Sequence, residues 1–150
     1  MRVRLLTLLC LTCLMLSRAE ASETPNIRGA WHPELYQLKD GTKHPVTGLI
    51  FFAEKDWSVL YFVMDEQGPQ RGSGEGGTYT LDGNRLVFSH LYNFSAGKAL
   101  KGLPASDLSM KVKKPIEASP EPCTIEVKGD ILTIFFPSGN LMTFRRSSGF

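Results

Sequence analysis

An all-β fold, an up-and-down antiparallel β-barrel of about eight strands, is what the sequence predicts after residue 28. Three observations carry this. Nearly every apolar segment there is short and rich in β-branched and aromatic residues, which suits a pleated, half-buried surface. Most of these segments end at a reversal such as Asp82-Gly83-Asn84, Gly129-Asp130 or Ser138-Gly139-Asn140, where a hairpin needs residues that tolerate a tight turn. A meander of that many strands leaves two unpaired edges unless it closes, and closure removes both. About eight strands then enclose an interior that either fills with side chains or admits one small ligand.

The first element lies outside the barrel. Arg2 and Arg4 precede an apolar run, Leu5 to Leu16, and Ala19-Glu20-Ala21 supplies the small residues of an A-x-A cleavage site, the pattern of a secretory signal peptide. The run is too short to span the roughly 30 Å of bilayer hydrocarbon as a helix. Residues 1–21 are therefore expected to be removed on export, leaving 22–150 as one barrel domain in a secreted or periplasmic compartment, without membrane insertion. Cleavage takes three of the 17 basic and one of the 15 acidic residues, so the mature chain carries 14 of each and no formal net charge. That speaks against nucleic acid and anionic membrane surfaces as partners, both of which want a basic cluster. Cys10 and Cys13 are lost as well, and the remaining Cys123 has no partner for an intramolecular disulfide. In EPCTIEV, with no cation beside it, Cys123 reads as a small buried hydrophobe rather than a nucleophile.

The strands are expected at 29–38, 47–54, 57–64, 77–82, 85–91, 108–114, 123–128, 131–136 and 140–146. Two segments interrupt the meander. Gln67 to Gly77 is Gly-rich but lacks the Gly-Lys-Ser/Thr ending of a phosphate loop, so it reads as a flexible connection. Tyr92 to Leu108 is long for a barrel loop and is expected to cap one mouth, with room for a helical turn. Lys111, Lys113 and Lys114 read as a solvated strand edge, where lysines suppress edge-to-edge pairing.

Gly29-Ala30-Trp31 at the start of the first strand and Phe144-Arg145-Arg146 on the last resemble the lipocalin and lipocalin-like (calycin) superfamily. The likeness is to bacterial lipocalin-like domains, through GAW with DG ten residues on, TGLIFF, GGTYTLDGNRL and FRR, which together span most of residues 28–146. The resemblance implies that Trp31 plugs the closed end of the barrel, that Arg145 or Arg146 lies across its indole, and that Gly29 lets the backbone turn at this floor. The T-D-Y motif of the secreted lipocalins and a disulfide pair are both missing, so their ligands are not carried over. Nitrobindin-like haem barrels share G-x-W, but here HPELYQL replaces the polar Gly-rich extension that follows it, which argues against haem. No cofactor is expected.

GLIFFAE and WSVLYFVMD are apolar on both faces, whereas a barrel wall facing water should alternate. Trp57, Val59, Tyr61 and Val63 share one face and Leu60, Phe62 and Met64 the other, without the sequence fixing which points inward. A covered core, an apolar ligand cavity and a homodimer or protein-docking face all explain the pattern. Ligand-contacting candidates are Tyr61, Phe62, Tyr79, Phe88 and His90, with Tyr92 and Arg85 as further polar groups. His90 alternates with Leu86 and Phe88 in RLVFSHLY, and a neutral imidazole there would serve as donor or general base. His32 and His44 each precede a proline and form no metal-ligand spacing, so no metal is expected. Ser58, Ser89 and Ser95 lie in no G-x-S-x-G elbow. The sequence thus points to an exported barrel binding a small, largely apolar molecule; the alternatives are a cyclase or isomerase using His90 or a pocket tyrosine, and an interaction module or homodimer.

Overall fold

A computed structural model describes residues 24–149, so the signal sequence expected at 1–21 lies outside the described residues. Nine strands follow one another: β1 (Gly29–Gln37), β2 (Lys43–Phe52), β3 (Asp56–Asp65), β4 (Gly68–Asp82), β5 (Arg85–Gly97), β6 (Ser106–Val112), β7 (Pro120–Lys128), β8 (Ile131–Phe135) and β9 (Leu141–Arg146). All pairings are antiparallel, in the order β4-β3-β2-β1-β9-β8-β7-β5, and β4 pairs with β5 to close the ring. Eight strands therefore make the barrel, and β6 stands outside the ring. It hangs on the distal half of β5, opposite Tyr92 to Gly97, while β7 takes the proximal half from Arg85 to Ser89. β7 begins at Pro120, which has no N–H with which to continue the ladder.

Both expected interruptions prove to be largely strand. From Gly68 on, the Gly-rich segment 67–77 belongs to the 15-residue β4. Gly72, Gly74 and Gly76 face outward, and the rings of Phe62, Phe94 and Tyr92 occupy the space where their side chains would stand. Neighbouring aromatics thus supply the apolar cover that glycine lacks. At Tyr92 to Leu108, β5 runs on to Gly97 and β6 begins at Ser106. Only residues 98–105 form a connection, closed by a bridge between Leu100 and Leu103 rather than by a helical turn. Arg71 holds it, its guanidinium donating to the carbonyls of Lys98 (2.7 Å) and Pro104 (2.5 Å). The one helical turn among the described residues, a 3₁₀ turn at Pro115–Glu117, lies beyond β6. Lys111 does lie on the free strand, and Lys113 and Lys114 follow it.

The core is built from inward positions: Trp57, Val59 and Val63 of β3 with Ile50, Phe52, Leu86, Phe88, Ile134 and Phe144. Trp31 is fully buried at one end, and its indole N–H donates to the Ile27 carbonyl at 2.8 Å. The Arg146 guanidinium carbon lies 4.0 Å from the centre of this ring, and its Nη1 and Nη2 donate to the Arg28 and Asn26 carbonyls. Such stacking stabilises by roughly 0.5–2 kcal/mol. Arg145 points the other way, into an exposed pair with Glu34. Gly29 has φ +107°, a left-handed conformation that a residue with a Cβ rarely adopts.

Candidate functional site

A cavity of about 430 Å³ lies between this floor and the opposite end of the barrel, within the usual range for small-molecule sites. Its lower walls are apolar: Ile50, Val59, Phe88, Ile134, Met142 and Phe144. Nearer the mouth come Tyr36, Tyr61, Glu75, His90, Glu121 and Asn140. A polar annex of about 230 Å³ shares Tyr36, Tyr61 and Glu75 with it and adds Arg71, Ser73, Asn93 and Ser95.

β5 decides which groups face inward. Leu86, Phe88 and His90 alternate toward the interior as the sequence suggests. Gly77 then pairs with His90 but Gly76 with Tyr92, so Leu91 is an extra residue, a β-bulge. An insertion of one residue exchanges the two faces of everything beyond it. Asn93 and Ser95 therefore line the annex, and Tyr92 and Phe94 point outward over Gly76 and Gly74.

His90 bridges two carboxylates. Its Nδ1 lies 3.0 Å from Glu75 Oε2 and its Nε2 2.9 Å from Glu121 Oε2. The Ser73 hydroxyl donates to the second Glu75 oxygen at 3.0 Å. The hydrogen bonds to Glu121 and then Glu75, offset in part by burial, raise the His90 pKa to about 9. Burial acts to raise Glu75, but the bonds from His90 and Ser73 outweigh it and leave its pKa below the ordinary carboxylate value. At neutral pH the cluster is one imidazolium between two carboxylates. Both ring nitrogens donate, so His90 has no lone pair for the general-base role considered from sequence.

The other sequence candidates divide. Tyr61 and Phe88 line the cavity. Burial, reinforced by Glu75, raises the Tyr61 hydroxyl far above its ordinary value, so it stays a neutral donor. Phe62 does not line the cavity: it alternates with Tyr61 and lies on the outer face over Gly72. Tyr79 faces inward near the floor instead, its hydroxyl donating to the Ala53 carbonyl at 2.8 Å and its ring edge-on to Phe52 at 5.3 Å. Arg85 is exposed at the start of β5. Cys123 is buried, and burial pushes its thiol up to about 12. Among the described residues no group of three His, Cys, Asp or Glu side chains is placed to hold a metal ion.

Sequence reasoning missed Glu75, Glu121, Tyr36 and Asn140. Glu75 stands inside the run taken for a flexible loop and Glu121 between two prolines, so neither showed strand alternation. Trp57, packed on Phe88 at 4.3 Å and edge-on to His90 at 5.1 Å, also lines the cavity. Its indole nitrogen is buried without a hydrogen-bond partner.

The closed eight-strand ring, the buried Trp31 and the Arg146 stacked on it decide the architecture. The fold is a lipocalin-like β-barrel. The chain is similar in structure to a lipocalin-like protein from Bacteroides uniformis ATCC 8492, with 15% identity, a TM-score of 0.47, and coverage of 80% of this chain and 97% of that one. It is also similar to a de novo designed fluorescence-activating β-barrel, with 12% identity, a TM-score of 0.39, and coverage of 85% and 97%. No protein-family model matches the sequence, and no curated protein matches it.

Proposed function

We propose that the barrel binds a small, largely apolar molecule with a polar end. The observation that carries this is a cavity with apolar walls at Ile50, Val59, Phe88 and Phe144 beside a polar annex at Arg71, Ser73, Asn93 and Ser95, the two sharing Tyr36, Tyr61 and Glu75. The apolar body of the ligand would lie on the walls, each Å² removed from water contributing roughly 25 cal/mol before ordering costs. Its polar end would meet the annex, where neutral Tyr61 offers a hydroxyl, and the orphaned Trp57 N–H gives the wall a donor for an acceptor group.

Titration with a hydrophobic fluorophore tests this reading. Tyr61→Glu adds a carboxylate beside Glu75 in the binding space, and its dissociation constant is expected to rise by at least about tenfold, the cost of desolvating an unpaired charge. Phe62→Glu, one residue along and outward, is expected to leave binding unchanged. Equal affinity in wild type and Tyr61→Glu would reject the cavity as the site.

The same reading places the protein outside the cytosol after cleavage behind Ala21, supported by Arg2, Arg4, the apolar run and the A-x-A site.

A further inference from the structure

We propose that the outer face of β3 to β6 packs, sheet on sheet, against the same face of a second copy of this chain. Cross-strand register joins side chains of four strands into one surface. Phe62 stands opposite Gly72, Leu60 and Phe94 flank Gly74, and Tyr92 lies against Gly76. Met110 and Val112 of β6 stand opposite Phe94 and Tyr92, with Leu108 beyond them. These side chains are exposed to degrees running from 37% at Phe62 to 87% at Val112. A monomeric protein rarely leaves a contiguous apolar patch of more than a few hundred Å² in water.

Three features select a second copy as the occupant. The first is charge. Two-fold packing sets a surface against itself, so any charge near the axis meets its own sign. From Ser58 to Phe62 on β3, across Gly72, Gly74 and Gly76, to Tyr92 and Phe94, the outward positions carry none. An anionic bilayer would need lysines on this face, but Lys111 alternates away from Met110 and Val112 and stands opposite the inward-facing Asn93. The second is area. Seven side chains of this size, on the order of 200 Å² each when free, offer roughly 800 Å² at these exposures, and a standard interface takes about 800 Å² from each partner. The third is composition. Aromatic residues and Met with charge excluded is the make-up of a homodimer interface core, and the glycine row lets the rings lie flat.

Sedimentation equilibrium of the purified protein over a range of concentrations, with near-UV circular dichroism to confirm the fold, tests the proposal. Met110 and Val112 are 75% and 87% exposed in the monomer, so replacing them leaves the barrel folded. Wild type is expected to dimerise reversibly, and Met110→Lys and Val112→Lys each to raise the dimer dissociation constant by at least about tenfold by forcing a charge into the contact. Thr133→Lys on β8 is expected to leave it unchanged. A wild type that stays monomeric at all concentrations, or a dimer that Met110→Lys and Val112→Lys leave intact, overturns the proposal. So does a folded monomer that instead binds phosphatidylglycerol vesicles in a manner lost on Met110→Glu.

Discussion

The proximal and distal halves of β5 share a strand and differ in which way their rings point. From Arg85 to His90, the even-numbered side chains Leu86, Phe88 and His90 build the interior. From Tyr92 to Gly97, the even-numbered side chains Tyr92 and Phe94 are exposed, and the odd-numbered Asn93 and Ser95 line the annex. The hinge of this exchange is Leu91, the one residue that β4 does not match. A barrel strand is thus able to build a cavity with one half and an uncharged outer face with the other. The partner strands change at the same place, from β7 to β6.

Removing Leu91 is expected to have the largest effect. Without the extra residue His90 and Tyr92 become neighbours that still stand opposite Gly77 and Gly76, so the rings keep their faces, but the strand loses its bend and the hydrogen bond from the Lys113 N–H to the Leu91 carbonyl. A loss of about 3 kcal/mol in stability by urea unfolding is expected, with Tyr92 still exposed to solvent. A deletion variant in which Tyr92 becomes buried would show that the faces do not exchange at Leu91. A smaller effect sharpens the distal half: Gly74→Ala places a Cβ within the Phe94 ring, and the ring must leave the glycine. The expected cost is about 1–3 kcal/mol, with the fluorophore affinity unchanged because the substitution is on the outside. If Gly74→Ala weakens the cavity without destabilising the barrel, the inside and outside assignments of β4 are reversed.

How much of this was legible in the sequence follows from the same bulge. Alternation before Leu91 was readable, and it put Phe88 and His90 on one face as the structure does. Tyr92 was grouped with them because an inserted residue leaves no mark in a period-2 pattern. The hairpins at Asp82-Gly83-Asn84 and Gly129-Asp130 were marked by residues that accept positive φ, with Gly83 at +55° and Gly129 at +58°. The floor was legible because Gly29, Trp31 and the paired arginines are a distinctive set, although only coordinates chose Arg146 over Arg145. β4 was hidden because its β character comes from rings on β3 and β5, while its own residues read as loop. Glu75 and Glu121 were hidden for the complementary reason, since a carboxylate buried against an imidazole looks like a solvated one until the strands are paired.

That the proximal half of β5 turns His90 into the interior between two carboxylates is tested most directly by a ¹⁵N NMR titration of its ring. Both nitrogens are expected to be protonated at neutral pH, with a midpoint near about 9. Because the folded pKa lies above an unfolded value of about 6.5, the stabilisation from this cluster is present in full below about pH 6.5 and declines as pH rises through the folded midpoint. The decline amounts to roughly 2–3 kcal/mol and should vanish in His90→Gln. A midpoint near the unperturbed 6.5, with stability flat up to pH 9, would contradict the bridge and place His90 elsewhere.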